Sequence, residues 1–168
     1  MRAMTAPDSE TRSKRHAPIV FTGNVFAVID DGRALPEEYV AAEKLILAET
    51  LNYPGGLGCI VVIPAGAKPP PEAQRKAIDG VLTRLSSQLR GLAWVVEGAG
   101  FGAAAVRGVL IGLSLYGRRS YPTHVCTSVH DALGWLATRL GTSSDTKTID
   151  RAADRIATTR AEYRALRA

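Results

Sequence analysis

His124 and Cys126 stand two residues apart in an apolar run, so on a strand both side chains leave the same face. An imidazole beside a thiol is one half of a nucleophilic pair, or one half of a metal site. Packing is the simpler expectation, because cysteine between Val125 and Thr127 belongs to one of the most often buried residue types. A second grouping, Gly98-Ala99-Gly100-Phe101-Gly102-Ala103, satisfies G-x-G-x-x-G/A between an expected strand and an expected helix. In that context glycines let backbone approach a pyrophosphate, and the helix N-terminus receives its charge. Gly98, Gly100 and Gly102 are therefore the candidate residues for a nucleotide or small anionic ligand. Two features oppose this use. Glu97 precedes the loop and repels phosphate, and the next strand ends at Thr127 without the acid that would hold a ribose hydroxyl. A glycine turn for close helix-to-sheet packing is the preferred alternative.

Asp30-Asp31 at a strand end is the kind of acidic pair that holds Mg²⁺ beside a phosphorylated aspartate. The central strand, however, runs into Ala65 where an acceptor carboxylate would be wanted, and Asp31-Gly32 reads as a turn. Asp30 and Glu97 are left as a conceivable acid/base or metal pair at one sheet edge. His130 is expected on the surface. None of these groupings is complete, so the expectation is no enzyme, no metal and no resident cofactor.

The chain that must position them has 168 residues, 46% of them apolar and 22% charged, with 16 glycines, nine prolines and two cysteines. Such a composition excludes collagen, disordered and disulfide-scaffold classes and suits one globular domain plus tails. Net charge is +5. Its location matters more than its size: residues 1–17 carry +2, residues 18–141 only +1, and residues 142–168 carry +2. A domain that reads nucleic acid concentrates Lys and Arg on its body, so nucleic acid is not the expected partner. Both cysteines lie in apolar runs and no secretory segment is evident, which leads to a cytoplasmic expectation. The longest apolar stretch, Ala103 to Tyr116, is interrupted by Arg107 and is shorter than the ~20 residues of a membrane span.

Along the chain, residues 1–17 read as a flexible leader. Ile19–Phe21 and Val25–Ile29 flank a glycine-containing turn as a hairpin. Pro36 suits a first helical position, and Val40, Leu45, Leu47 and Leu51 suggest the buried side of that helix. Cys59–Ile63 is a continuous apolar run bounded by Gly58 and Pro64, as in a strand covered on both faces of a parallel sheet. Ala73, Ala77, Ile78, Val81, Leu82, Leu85 and Leu89 recur at helical spacing as far as Gly91. Leu92–Val96 is the next strand, and Ala103–Tyr116 is so apolar that deep packing is expected. Its stripe of Ala104, Gly108 and Gly112 suits either intimate helix-on-sheet packing or a homodimer seam. His124–Thr127 is a last strand. Ser128 and Asp131 open a helix over Val129–Leu140 in a capping-box manner, and Gly141 closes it. Residues 142–168 are a linker and an amphipathic tail helix, in which Ile149, Ile156 and Tyr163 recur every seventh residue.

A hairpin followed by three alternations of helix and strand and a final helix argues for a layered α/β domain. With the stretches Arg107-Gly108-Val109-Leu110 and Tyr121-Pro122-Thr123-His124-Val125, this order over residues 18–141 resembles a STAS-type domain, the anti-sigma-factor-antagonist fold, in its bacterial branch. The resemblance implies a mixed, mostly parallel sheet of four to five strands with an N-terminal hairpin, and a module that binds another protein. Regulatory members of that family are phosphorylated on a serine at the start of the helix after the central strand. That junction here reads Ile63-Pro64-Ala65-Gly66-Ala67-Lys68-Pro69-Pro70-Pro71-Glu72 and offers no hydroxyl. The phosphorylation switch is thus missing from what the resemblance implies, and with it control of an anti-sigma kinase. The expected partner contacts are Arg118 and Arg119, which follow the apolar helix, and the tail residues Ile149, Ile156 and Tyr163.

Overall fold

The computed structural model describes residues 19–67, 70–116 and 120–167, the side chains of 112–116 and 166–167 excepted. The leader assigned to residues 1–17 lies outside them. Strands β1 (Ile19–Thr22) and β2 (Val25–Ile29) form the expected hairpin, turning at Gly23 with φ 59°. Then follow α1 (Pro36–Thr50), β3 (Leu57–Ile63), α2 (Glu72–Arg84), β4 (Leu89–Val96), α3 (Phe101–Tyr116), β5 (Thr123–Cys126), α4 (Val129–Leu140) and α5 (Thr146–Arg167). The strands lie in the order β1-β2-β3-β4-β5, antiparallel between β1 and β2 and parallel across the rest. The expected α/β class with a mixed, mostly parallel sheet is what forms.

Strand alternation sorts the core into two layers. Val25, Ala27 and Ile29 of β2 face α4 and α5 together with Ile60, Val62, Ala93 and Val95. Phe26 and Val28 face the other way, with Cys59, Val61 and Leu92, toward Tyr39 and Ile46 of α1 and Val81 and Leu82 of α2. Right-handed crossovers between successive parallel strands place the connecting helices on one face, which leaves the opposite face for α4 and α5. Two glycines seat α4. Gly58 and Gly91 stand opposite each other in the β3–β4 register. A Cβ on Gly91 would lie 2.9 Å from Trp135 and 3.0 Å from Leu136, and one on Gly58 would lie 3.0 Å from Leu140. The bare backbone is what lets the helix come this close.

Three expectations about helix faces need correction. In α1 the buried residues are Glu38, Tyr39, Ala42, Glu43 and Ile46, whereas Val40, Leu47 and Leu51 are exposed. The inward stripe was hidden because two of its members are acids with partners. Glu38 accepts from the Leu35 amide at 2.6 Å, and Glu43 receives a two-pronged contact from Arg84 of α2 at 2.6 and 2.7 Å. Helix α2 ends at Arg84, and Leu89 opens β4 rather than continuing the helical stripe. The third correction concerns α3, which is not deeply packed over Phe101–Ile111, the part whose side chains are described. Ala103, Val106, Arg107 and Leu110 form its half-buried side, while Phe101, Val109 and Ile111 are 90%, 63% and 47% exposed. The four-residue edge strand β5 is too short to cover a helix of 16 residues.

The tail folds back on the domain. Ala152, Ala153 and Ile156 join the core cluster of the α4 face, Ile149 packs against it, and Tyr163 is buried.

Candidate functional site

The densest set of chemically capable groups lies where β5 meets α4. His124 and Cys126 leave the same face of β5, as their spacing requires. Ser128 then caps α4: its Oγ accepts from the Asp131 amide at 3.1 Å, which sets Asp131 in the first helical turn. A ring nitrogen of His124, Cys126 Sγ and a carboxylate oxygen of Asp131 consequently lie within 4.8 Å of one another. His124 Nε2 is buried, 3.5 Å from Asp131 Oδ2, and makes no hydrogen bond. The imidazole stacks on Trp135, ring centroids 5.1 Å apart and planes within 15°. The guanidinium of Arg139 covers the same indole ring at 3.8 Å. Asp131 was legible only as a cap residue. Its second relation, to the strand three residues upstream of the cap, appears once the chain turns at Ser128.

Burial, reinforced by the charge of Asp131, pushes the Cys126 thiol up to about 11. At neutral pH it is a thiol, 3.6 Å from the Trp94 carbonyl and 3.5 Å from that of Ser128. A thiol held in that form is a poor free nucleophile. Cys59, on the other sheet face, is fully buried and its thiol is likewise pushed up by burial.

Asp30 and Glu97 do not meet as a pair. Asp30 belongs to the α1 face, where its Oδ1 accepts from Tyr39 Oη and the Gly32 amide, both at 3.1 Å. Burial raises the carboxyl above its ordinary value, although those two hydrogen bonds oppose the shift. Burial first, and then the Asp30 charge, raises the Tyr39 phenol. Both residues line an otherwise apolar cavity of about 50 Å³ bounded by Phe26, Cys59, Ile78 and Leu82. Glu97 sits on the opposite face, clasped by both terminal nitrogens of Arg160 from α5. The arginine partner is not evident from local spacing, since Arg160 is 63 residues from Glu97.

In the Gly98–Gly102 loop, Gly98 and Gly100 both adopt φ 92°. A Cβ on Gly98 would stand 3.0 Å from the Ala65 Cβ, so close approach of two loops accounts for that glycine. Gly102 has open space around its Cα. The one cation of α3, Arg107, is directed onto the carbonyls of Val96 and Gly98 at 3.3 and 3.4 Å. It therefore holds the loop rather than awaiting an anion. His130 is exposed, 3.3 Å from Asp150 of α5. The expected contacts Arg118 and Arg119 lie outside the described residues. Ile156 and Tyr163, expected as partner contacts, are instead buried in this chain's own fold, with Ile149 packed beside them. A seven-residue repeat specifies an apolar stripe but not whose surface it meets, and here β1 and α4 supply that surface.

The chain has no match among protein-family models, curated proteins or solved structures. No described helix is long and apolar enough to cross a membrane.

Proposed function

We propose that the chain is a non-enzymatic, cytoplasmic binding module, STAS-like in architecture, that takes a protein partner on the uncovered face of α3. The observation that carries this reading is the exposure of Phe101, Val109 and Ile111 on one helix. Ala104, Ala105 and Gly108 are exposed between them. A contiguous apolar helix face left in water is a mark of an interaction surface. Covering three large side chains is worth roughly 5 kcal/mol gross at ~1.5–3 kcal/mol each, before the cost of association. Arg107, the only charge in the helix, is already engaged with its own domain. The matching partner is therefore apolar. Arg118 and Arg119 follow α3 in the sequence after Gly117, and as cations they favour a partner that carries acidic groups. The STAS-like part rests on element order and the two short stretches that carry the resemblance, and the protein-binding part does not depend on it.

The test is capture from the native host with wild-type protein and Val109→Glu as baits, read by quantitative mass spectrometry. Val109 is exposed, so the substitution leaves the thermal midpoint nearly unchanged. The proposal expects a discrete set of proteins bound by the wild type and reduced at least tenfold by the variant. Sedimentation of both forms tells whether a second copy is that partner. An identical capture profile together with identical sedimentation overturns the reading.

A further inference from the structure

We propose that His124, Cys126 and Asp131 form a binding site for a borderline divalent transition metal of the zinc class, with the fourth position open to water. The docking face on α3 plays no part in this argument. Three observations converge on the same point. The first is donor type: one imidazole, one thiol and one carboxylate make the mixed N/S/O set that suits zinc-class ions and disfavours Mg²⁺ or Ca²⁺, which take oxygen alone.

The second is spacing. Tetrahedral bonds of ~2.0–2.3 Å separate neighbouring donors by roughly 3.3–3.6 Å. His124 Nε2 and Asp131 Oδ2 are 3.5 Å apart without hydrogen-bond geometry, close enough to pair when the imidazole is protonated and spaced to share an ion when it is neutral. The whole trio falls within 4.8 Å, so small side-chain rotations close the remaining distance. The third is the state of His124. Its Nε2 is buried with no hydrogen-bond partner, a costly arrangement for a polar atom. Stacking on Trp135 meanwhile holds the ring plane. A metal at Nε2 satisfies the orphaned nitrogen directly.

The surroundings define what kind of site this is. Cys126 is 5% exposed, whereas the side chains of His124 and Asp131 are 30% and 57% exposed. The ion is held from below by sulfur and reached by solvent from above. Binding transfers the Cys126 proton to solvent, forms the sulfur–metal bond, and ties the end of β5 to the first turn of α4. No electrons are exchanged.

Cobalt(II) is the probe, because thiolate ligation gives a near-ultraviolet charge-transfer band and four-coordination gives strong visible bands. Tag-free full-length protein, stripped with chelator and kept reduced without added thiols, is titrated with Co(II) and then with Zn(II). The expected result is one equivalent of Co(II) with both signatures, displaced by one equivalent of Zn(II). Cys126→Ser abolishes the charge-transfer band. Asp131→Asn, at an exposed position whose capping bond uses only its backbone amide, weakens affinity by at least about tenfold, a loss seen even for outer-shell partners. Saturation without a charge-transfer band, a band that survives in Cys126→Ser, or Asp131→Asn binding as tightly as the wild type each overturns the proposal.

Discussion

Replacing Ile156 by alanine asks whether α5 is part of the domain or a free surface. Ile156 is 1% exposed, in the core cluster that holds Val20 of β1 and Leu133 and Leu136 of α4. The change removes three carbons, about 2.4 kcal/mol of transfer free energy at ~0.8 kcal/mol each. If about 50 Å³ of the vacated space stays open, the cavity adds roughly 1.2 kcal/mol at ~24 cal/mol per Å³. The expected loss is about 3–4 kcal/mol, inside the ~2–5 kcal/mol observed for such truncations. With a urea slope of ~2 kcal/mol per molar, the unfolding midpoint drops by roughly 1.5–2 M. Thr158→Ala, two residues on at an exposed position, is the control and changes stability by less than about 0.5 kcal/mol. An Ile156→Ala midpoint indistinguishable from that of the control refutes the packing of α5. The stripe of Ile149, Ile156 and Tyr163 would then return to the list of partner surfaces.

Asp30→Asn stabilises the protein at neutral pH, because the amide oxygen still accepts from Tyr39 and Gly32 while the buried charge is gone. The sign follows from linkage: a carboxyl raised above its ordinary value binds its proton more tightly in the folded state, so wild-type stability falls as pH rises from that ordinary value through the folded one. Denaturation across pH checks this: the advantage of the variant disappears below the ordinary carboxylate range, and a variant no more stable than wild type at pH 7 refutes it. The two kinds of glycine are separable by one substitution each. Gly91→Ala presses on Trp135 and Leu136 and costs about 1–3 kcal/mol. Gly108→Ala, in exposed helix with nothing near its Cα, gains roughly 0.5–1 kcal/mol. Equal midpoints for the two variants contradict the seating of α4.

Strands and caps were readable because their signals are local. Cys59–Ile63 is apolar without interruption, as a strand covered on both faces must be, and Ser128 and Gly141 mark both ends of α4 with the residues that terminus geometry favours. Faces were harder. In α1 the acids Glu38 and Glu43 point inward, because one closes the helix's own N-terminus and the other meets Arg84, 41 residues away. Periodicity counts apolar residues and so selected the solvent side. In α3 the error ran in the opposite direction: near-uniform apolarity promised a core position, but burial depends on how much sheet lies beneath a helix, and β5 supplies four residues. The candidate site was half legible. His124 and Cys126 are joined by strand alternation, whereas Asp131 enters through the turn at Ser128, and the role of Trp135 follows from one further turn of α4.

The edge strand β5 connects the two functional proposals physically. It contacts α3 on one side and α4 on the other, so the uncovered helix and the His124–Cys126–Asp131 cluster share a strand of four residues as support. An edge strand this short has few ladder bonds of its own: β5 pairs only with Leu92–Val95 of β4. Whatever holds β5 in register therefore also sets where α3 rests. A metal clasping His124 and Cys126 to the start of α4 restrains β5 from the α4 side, and a partner covering α3 restrains it from the other. Binding at one site would lower the ordering cost of binding at the other only to the extent that β5 frays in the free protein, which hydrogen exchange of the β5 amides with and without Co(II) measures. Any such coupling is reciprocal by thermodynamic necessity, so a partner that tightens Co(II) binding would itself be bound more tightly by the Co(II)-loaded protein, by the same factor.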